Sequence, residues 1–194
     1  MVRYSITVKG LTPLLHHKMP EDELLGLLGT KSSRKKDKVE QTPREIADKY
    51  AYKDNDGCLV IPTTYLVGAF KSVAGDYKQA NSIRKSIKSI AGGIFRPENE
   101  FERLHDDKNN PIKKFEVDLK KATNHQKGAV AVCRPRMDKW NCTFTVTIDE
   151  SLLSSDMVLQ MLNDAGKRSG IGSFRVSKGG HFGQFAVTNF KKLN

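Results

Sequence analysis

Ala165-Gly-Lys-Arg-Ser-Gly-Ile-Gly-Ser-Phe-Arg-Val-Ser-Lys-Gly-Gly-His-Phe-Gly-Gln-Phe185 lies between the last helix and the last strand that the sequence predicts. It sets Gly166, Gly170, Gly172, Gly179, Gly180 and Gly183 among Lys167, Arg168, Arg175, Lys178 and His181. Glycine lets a backbone reach positive φ and approach a partner closely. Basic side chains at the same place call for an anionic partner. A nucleotide loop would read Gly-x-x-x-x-Gly-Lys-Ser/Thr, follow a strand and open a helix. This stretch lacks the motif and follows a helix, so a long backbone ligand, RNA or single-stranded DNA, fits better than a mononucleotide.

Outward from that loop, the pattern builds an order of elements. Upstream, Ser154 or Ser155 caps a helix carrying Met157, Val158, Leu159, Met161, Leu162 and Ala165. Downstream, residues 182–190 read as the final strand. Residues 130–133 and 141–148 read as two strands joined through Arg134-Pro-Arg-Met-Asp-Lys139. Cys58-Leu-Val-Ile61 is a short strand closed by Pro62. Thr63 or Thr64 then caps a helix with Tyr65, Leu66, Ala69, Phe70 and Val73 on one face, stopped near Gly75. At the start, residues 2–9 alternate, with Val2, Tyr4, Ile6 and Val8 on one side.

The main order is strand, helix, strand, strand, helix, strand. It predicts a ferredoxin-like α+β fold, an antiparallel sheet with helices on one face, as in RNA-recognition modules. The aromatic signature of an RNA-recognition motif is missing from the strands. One domain spans 1–194, elaborated at 18–57 and 76–127. In the first elaboration, Gly29-Thr-Lys-Ser-Ser-Arg-Lys-Lys-Asp-Lys38 reads as a mobile basic loop, and Thr42-Pro43-Arg44-Glu45 as a capped helix start. In the second, Ile83, Ile87 and Ile90 form a helical stripe opposed by Arg84, Lys85 and Lys88. Residues 95–112 are rich in turn formers.

The chain has 33 Lys and Arg against 22 Asp and Glu, a formal net charge of +11 over 194 residues. An excess of this size favours nucleic acid, although the same residues also read as a plain soluble basic surface. No apolar run is long enough to span a bilayer and no apolar signal segment opens the chain, so the expected setting is cytoplasmic, with no membrane partner. Cys58, Cys133 and Cys142 are odd in number and widely spaced, which predicts neither zinc nor disulfides. Cys133 and Cys142 flank a turn and read as cross-strand core thiols.

Three stretches together resemble the RAMP superfamily of CRISPR-associated proteins. They are the opening strand running into Gly10-Leu-Thr-Pro-Leu-Leu15, the segment Val60-Ile-Pro-Thr-Thr-Tyr-Leu-Val-Gly-Ala-Phe-Lys-Ser-Val73, and the glycine loop before the last strand. The second is similar to that superfamily's Ile-Pro-Gly-Ser-Ser-x-x-Lys-Gly-Ala-x-Arg-Ser helix start, with Thr63 in place of a glycine and Val67 in place of a lysine. The resemblance implies a backbone subunit that coats guide RNA and assembles with copies of itself or with other RAMP-type subunits. Another branch of the superfamily consists of endoribonucleases that process precursor RNA, and short stand-alone chains of this kind are associated with phage.

The candidate nucleic-acid contacts are Lys167, Arg168, Arg175, Lys178 and His181, with the amides around Gly170, Gly172, Gly179 and Gly180 cradling phosphates. Arg34, Lys35 and Lys36 would form a flexible clamp. Arg134 and Arg136 would pair with phosphates, and Trp140 is either a stacking residue or core. A second reading is a metal-independent ribonuclease in which His16 or His17, with Lys18 and His181, moves protons during attack by a 2′-hydroxyl. The resemblance suggests Asp37 as a loop aspartate that cuts target RNA; the charge run around it reads as solvated. A third reading is a non-enzymatic mimic that acts on a CRISPR complex through protein contacts. None of the three calls for a cofactor or a metal.

Overall fold

A computed structural model describes residues 1–29, 41–79, 82–123 and 128–194. In chain order the elements are β1 (Val2–Gly10), β2 (Leu14–Leu15), α1 (Glu21–Leu27), α2 (Pro43–Lys49), β3 (Val60–Pro62) and α3 (Thr64–Val73). Then come β4 (Lys78–Gln79), β5 (Ser82–Ser86), α4 (Ala91–Ile94), β6 (Phe95–Pro97) and β7 (Phe101–His105). The chain closes with β8 (Glu116–Thr123), β9 (Ala129–Met137), β10 (Asn141–Ile148), α5 (Ser155–Arg168) and β11 (Phe185–Lys192).

The fold is a mixed α+β arrangement of antiparallel sheets and helices. Alternation in β1 turns Tyr4, Ile6 and Val8 inward. That strand pairs with β10 on one side and β11 on the other, in a six-stranded sheet ordered β11-β1-β10-β7-β3, with β6 also on β10. The apolar stripes of α3 (Leu66, Ala69, Phe70, Val73) and α5 (Val158, Met161, Leu162, Ala165) each fall at i, i+3, i+4 and i+7. The two helices bury these stripes against each other and the sheet. Phe70 stacks on Phe95 at 4.7 Å between centroids. Ser154 caps α5, its hydroxyl accepting from the Met157 amide at 3.3 Å. No described helix is long and apolar enough to cross a membrane.

A second, three-stranded sheet is ordered β2-β9-β8. In β9, Cys133, Pro135 and Met137 face inward and Arg134 and Arg136 face the other side. Helix α2 covers the inward face, its start fixed by the predicted capping box between Thr42 and Glu45. There the Cys133 thiol donates to the Pro43 carbonyl at 2.8 Å, and the Arg44 guanidinium lies 4.0 Å from the Phe115 ring centroid.

Several expectations are corrected. The segment around 130–133 is not beside 141–148 in the main sheet; β9 pairs with β8, and β6 and β7 take the place next to β10. The turn formers at 106–111 close a tight loop just after β7, where Asp106 Oδ1 accepts from the Lys108 and Asn110 amides at 2.8 Å. Cys133 and Cys142 consequently sit in different sheets as free buried thiols. The stripe Ile83, Ile87, Ile90 is not helical. Ser82 accepts from the Arg84 and Lys85 amides, a local alternative to helix, and β4 and β5 form a hairpin. Thr63 already has helical φ and ψ and does not cap α3; its hydroxyl donates to the Asn99 carbonyl at 2.7 Å.

Candidate nucleic-acid interface

The glycine loop is laced to the segment after β1. The Ser173 amide donates to the Leu15 carbonyl at 2.9 Å and the Gly183 amide to the Pro13 carbonyl at 2.8 Å. The Ile171 amide closes the loop on itself through the Gly183 carbonyl at 2.9 Å. Gly170, Gly172 and Gly179 take positive φ. Gly180 is required by closeness: a Cβ there would fall 1.7 Å from the Phe174 carbonyl oxygen. These glycines serve the loop's own packing, and the expected phosphate cradle is corrected for Gly170, Gly179 and Gly180. The amides of Gly170, Lys178, Gly179 and Gly180 already donate to the carbonyls of Ala165, Arg175, Val176 and Arg175.

What the loop presents outward is side chains. It lies on the face of the second sheet opposite α2, bringing Phe174 and Phe182 over Arg134 and Lys120. The Arg134 guanidinium lies 5.9 Å from the Phe174 ring centroid, and Lys120 Nζ lies 4.6 Å from that of Phe182. His181 is exposed and stacks on the buried Phe182 ring at 4.2 Å. Phe174 is 40% exposed and has φ +47°, rare for a bulky residue. Asp118, opposite Arg134 in register, is buried with one oxygen 3.0 Å from Lys120 Nζ. Its other oxygen and Arg134 Nε have no hydrogen-bond partner among the described residues.

The remaining predicted contacts divide. Lys167, Lys178 and Arg168 are exposed at the same end, and Arg168 pairs with Asp76 at 2.5 Å. Arg175 is turned onto its own loop, donating to the Ser177 hydroxyl at 3.0 Å and the Gly172 carbonyl at 3.2 Å. Arg136 pairs with Asp138 at 2.5 Å. Trp140 is core, 1% exposed, with its indole N–H donating to the Thr12 carbonyl at 3.0 Å. Arg34, Lys35, Lys36 and Asp37 lie outside the described residues.

The histidine pair is split by the extended backbone. His16 is fully buried; its Nδ1 accepts from the Tyr52 amide at 3.3 Å, which puts the proton on Nε2. Burial pushes its pKa down to about 3. His17 is exposed and stacks on Tyr50 at 4.9 Å, its pKa lowered first by partial burial and then by the Arg134 charge. His181 belongs to the Phe182 stack, and the expected part of His16 beside His17, Lys18 and His181 is corrected: buried as it is, His16 can neither reach a ligand nor titrate near neutral pH, while His17 and Lys18 stay exposed. Among the described residues no three His, Cys, Asp or Glu side chains gather as metal ligands.

Two residues at this face were not predicted. Lys120 is on β8, whose alternation was hidden inside the second elaboration. Phe174 is visible in the sequence as an aromatic between Gly172 and Arg175, but its exposure depends on a left-handed φ that the residue type does not suggest.

No family model matches the chain, and no curated protein matches it. Among solved structures, it is similar to a chain of a Type III-B Cmr-beta complex bound to cognate target RNA, determined by cryo-electron microscopy. The identity is 12% and the TM-score 0.45, over 99% of this chain and 61% of that one. This chain thus spans less than two thirds of the length of that relative.

Proposed function

We propose that this protein binds single-stranded nucleic acid, RNA in the first place, along the basic and aromatic face formed by the glycine loop and the outer side of the β8–β9 sheet. The observation that carries the reading is the gathering of Arg134 on the exposed Phe174 ring and of Lys120 and His181 on the adjoining Phe182 ring, with Lys167 and Lys178 exposed on the loop and the helix end before it. Cations supply sequence-tolerant attraction to phosphates, and π faces suit unpaired bases. The reading invokes no cofactor or metal.

A RAMP-type, ferredoxin-like domain is the frame we assign to it. In support, the order β11-β1-β10-β7 sets the first and last main strands side by side, and α3 and α5 share one face. The elaboration at 18–57 then supplies α2 and that at 76–127 supplies β8, the partner of β9, and the setting is cytoplasmic. The ribonuclease reading loses its first residue with the burial of His16.

Assembly with further copies is part of the proposal. No residue of α1 is buried, and Leu27 and its neighbour Leu28 are 75% and 74% exposed beside the acidic Glu21 and Glu23. Exposed Leu119 and Lys121 lie on one face of β8, an apolar side chain beside a charge of the opposite sign. Pairing of one patch with the other between copies is heterologous and builds open strings.

Fluorescence anisotropy with a labelled oligouridine across a salt series tests the binding. Affinity should fall steeply with salt. Replacing Lys120, Lys167 and Lys178 together with alanine should flatten the log–log slope by about 2, at about 0.7 per lost phosphate contact. Unchanged slope and affinity in the folded variant would remove this face. Failure of the native chain to bind RNA or single-stranded DNA would leave a mimic working through protein contacts.

A further inference from the structure

Phe174 is held in a backbone conformation that its own side chain disfavours. Its φ of +47° is typical of glycine or asparagine, and a phenylalanine keeps it only where the surroundings over-determine it. Those surroundings are visible: Gly180 is in van der Waals contact with the Phe174 carbonyl, and the Ser173 amide is tied to Leu15. Yet the ring gains little burial in return. It meets Phe182 tilted by 36° at 6.1 Å between centroids and stays 40% exposed. Strain without compensating burial is found where a side chain is displayed for use.

The groups around the ring specify the use. Arg134 lies over the ring, its Nε without a hydrogen-bond partner among the described residues. His181 is stacked on the Phe182 ring that Phe174 also touches. A planar, pre-ordered π surface with Arg134 on it, beside a Phe182 ring that carries Lys120 and His181, suits a flat ring attached to a phosphate chain. We infer that Phe174 is a stacking platform for an unpaired nucleobase of the bound strand. The inference rests on this face being the nucleic-acid interface and adds that the ligand must splay a base, which a duplex cannot do without unpairing. Identity of the base is of little consequence, because every base has a π face.

The test uses the full chain and a synthetic oligonucleotide carrying 2-aminopurine or an abasic site at successive positions. Stacking should quench the 2-aminopurine fluorescence at one position in each binding site. Phe174→Gly removes the ring and suits the backbone conformation, so the fold is retained. It should abolish that quenching and weaken binding about ten-fold without changing the salt slope. Phe174→Trp should restore both. An abasic site at the quenched position should weaken the native protein about ten-fold and leave the Phe174→Gly protein unaffected. Equal loss in both proteins, or quenching that survives Phe174→Gly, would overturn the platform. A native chain that binds no oligonucleotide would instead overturn the underlying function.

Discussion

Gly180 and Phe174 are locked together: a Cβ on residue 180 would lie 1.7 Å from the Phe174 carbonyl oxygen, while the Gly180 amide donates to Arg175 at 3.1 Å. The turn that displays the phenyl ring is therefore closed by a glycine six residues further along the chain. Gly180→Ala forces backbone to move and should destabilise the protein by about 3 kcal/mol. The neighbouring Gly179 has φ +77° with open space around it, so Gly179→Ala should cost only the backbone penalty of about 1–2 kcal/mol. Urea denaturation of the two variants measures the difference; equal losses would mean that the close approach is relieved at no cost.

The buried His16 gives a pH dependence with a definite sign. Its folded pKa, about 3, is below the ordinary unfolded value near 6.5, so the unfolded chain takes up the proton first. The stability that depends on neutral His16 is complete above about pH 6.5 and is lost as the pH falls toward 3, at about 1.4 kcal/mol per unit. His16→Asn keeps an acceptor for the Tyr52 amide without the titration. Denaturation midpoints followed from neutral to acid pH should fall less steeply in that variant. An unchanged slope would show that His16 does not titrate between the two states in this range.

Assembly can be separated from folding, because α1 buries none of its residues. Leu27→Asp with Leu28→Asp should leave the unfolding free energy within about 0.5 kcal/mol of the native protein's. Light scattering of the native chain should give masses that rise with oligonucleotide length, and the double variant should lose that rise while still binding one copy at a time. A native protein that stays monomeric on long strands would contradict assembly through this helix.

Local patterns in the chain carried its central elements. The alternation of Tyr4, Ile6 and Val8, the stripes of α3 and α5, and the Thr42–Glu45 box each depend on residues close in sequence, and all appear in the fold. Strand partners are a matter of distant pairing: the short connection at 134–139 points to β9 beside β10, whereas β9 pairs with β8 and β2. The site was legible as charge and obscure as geometry. Lys167, Lys178 and His181 are exposed around the loop, whereas the glycines among them are occupied with close packing and Trp140 fills the space over Gly10. Ring exposure at Phe174 depends on a left-handed φ that a phenylalanine does not suggest.

Photocrosslinking tests the central claim most directly. A single-stranded RNA containing 4-thiouridine, bound to the native protein, irradiated and digested, should leave crosslinked peptides from two regions, the glycine loop with Phe174 and His181 and the β8–β9 strands with Lys120 and Arg134. High salt should suppress both together. Crosslinks confined to other surfaces, such as the β4–β5 hairpin with Arg84 and Lys85, would contradict the account and move the nucleic-acid interface away from this face.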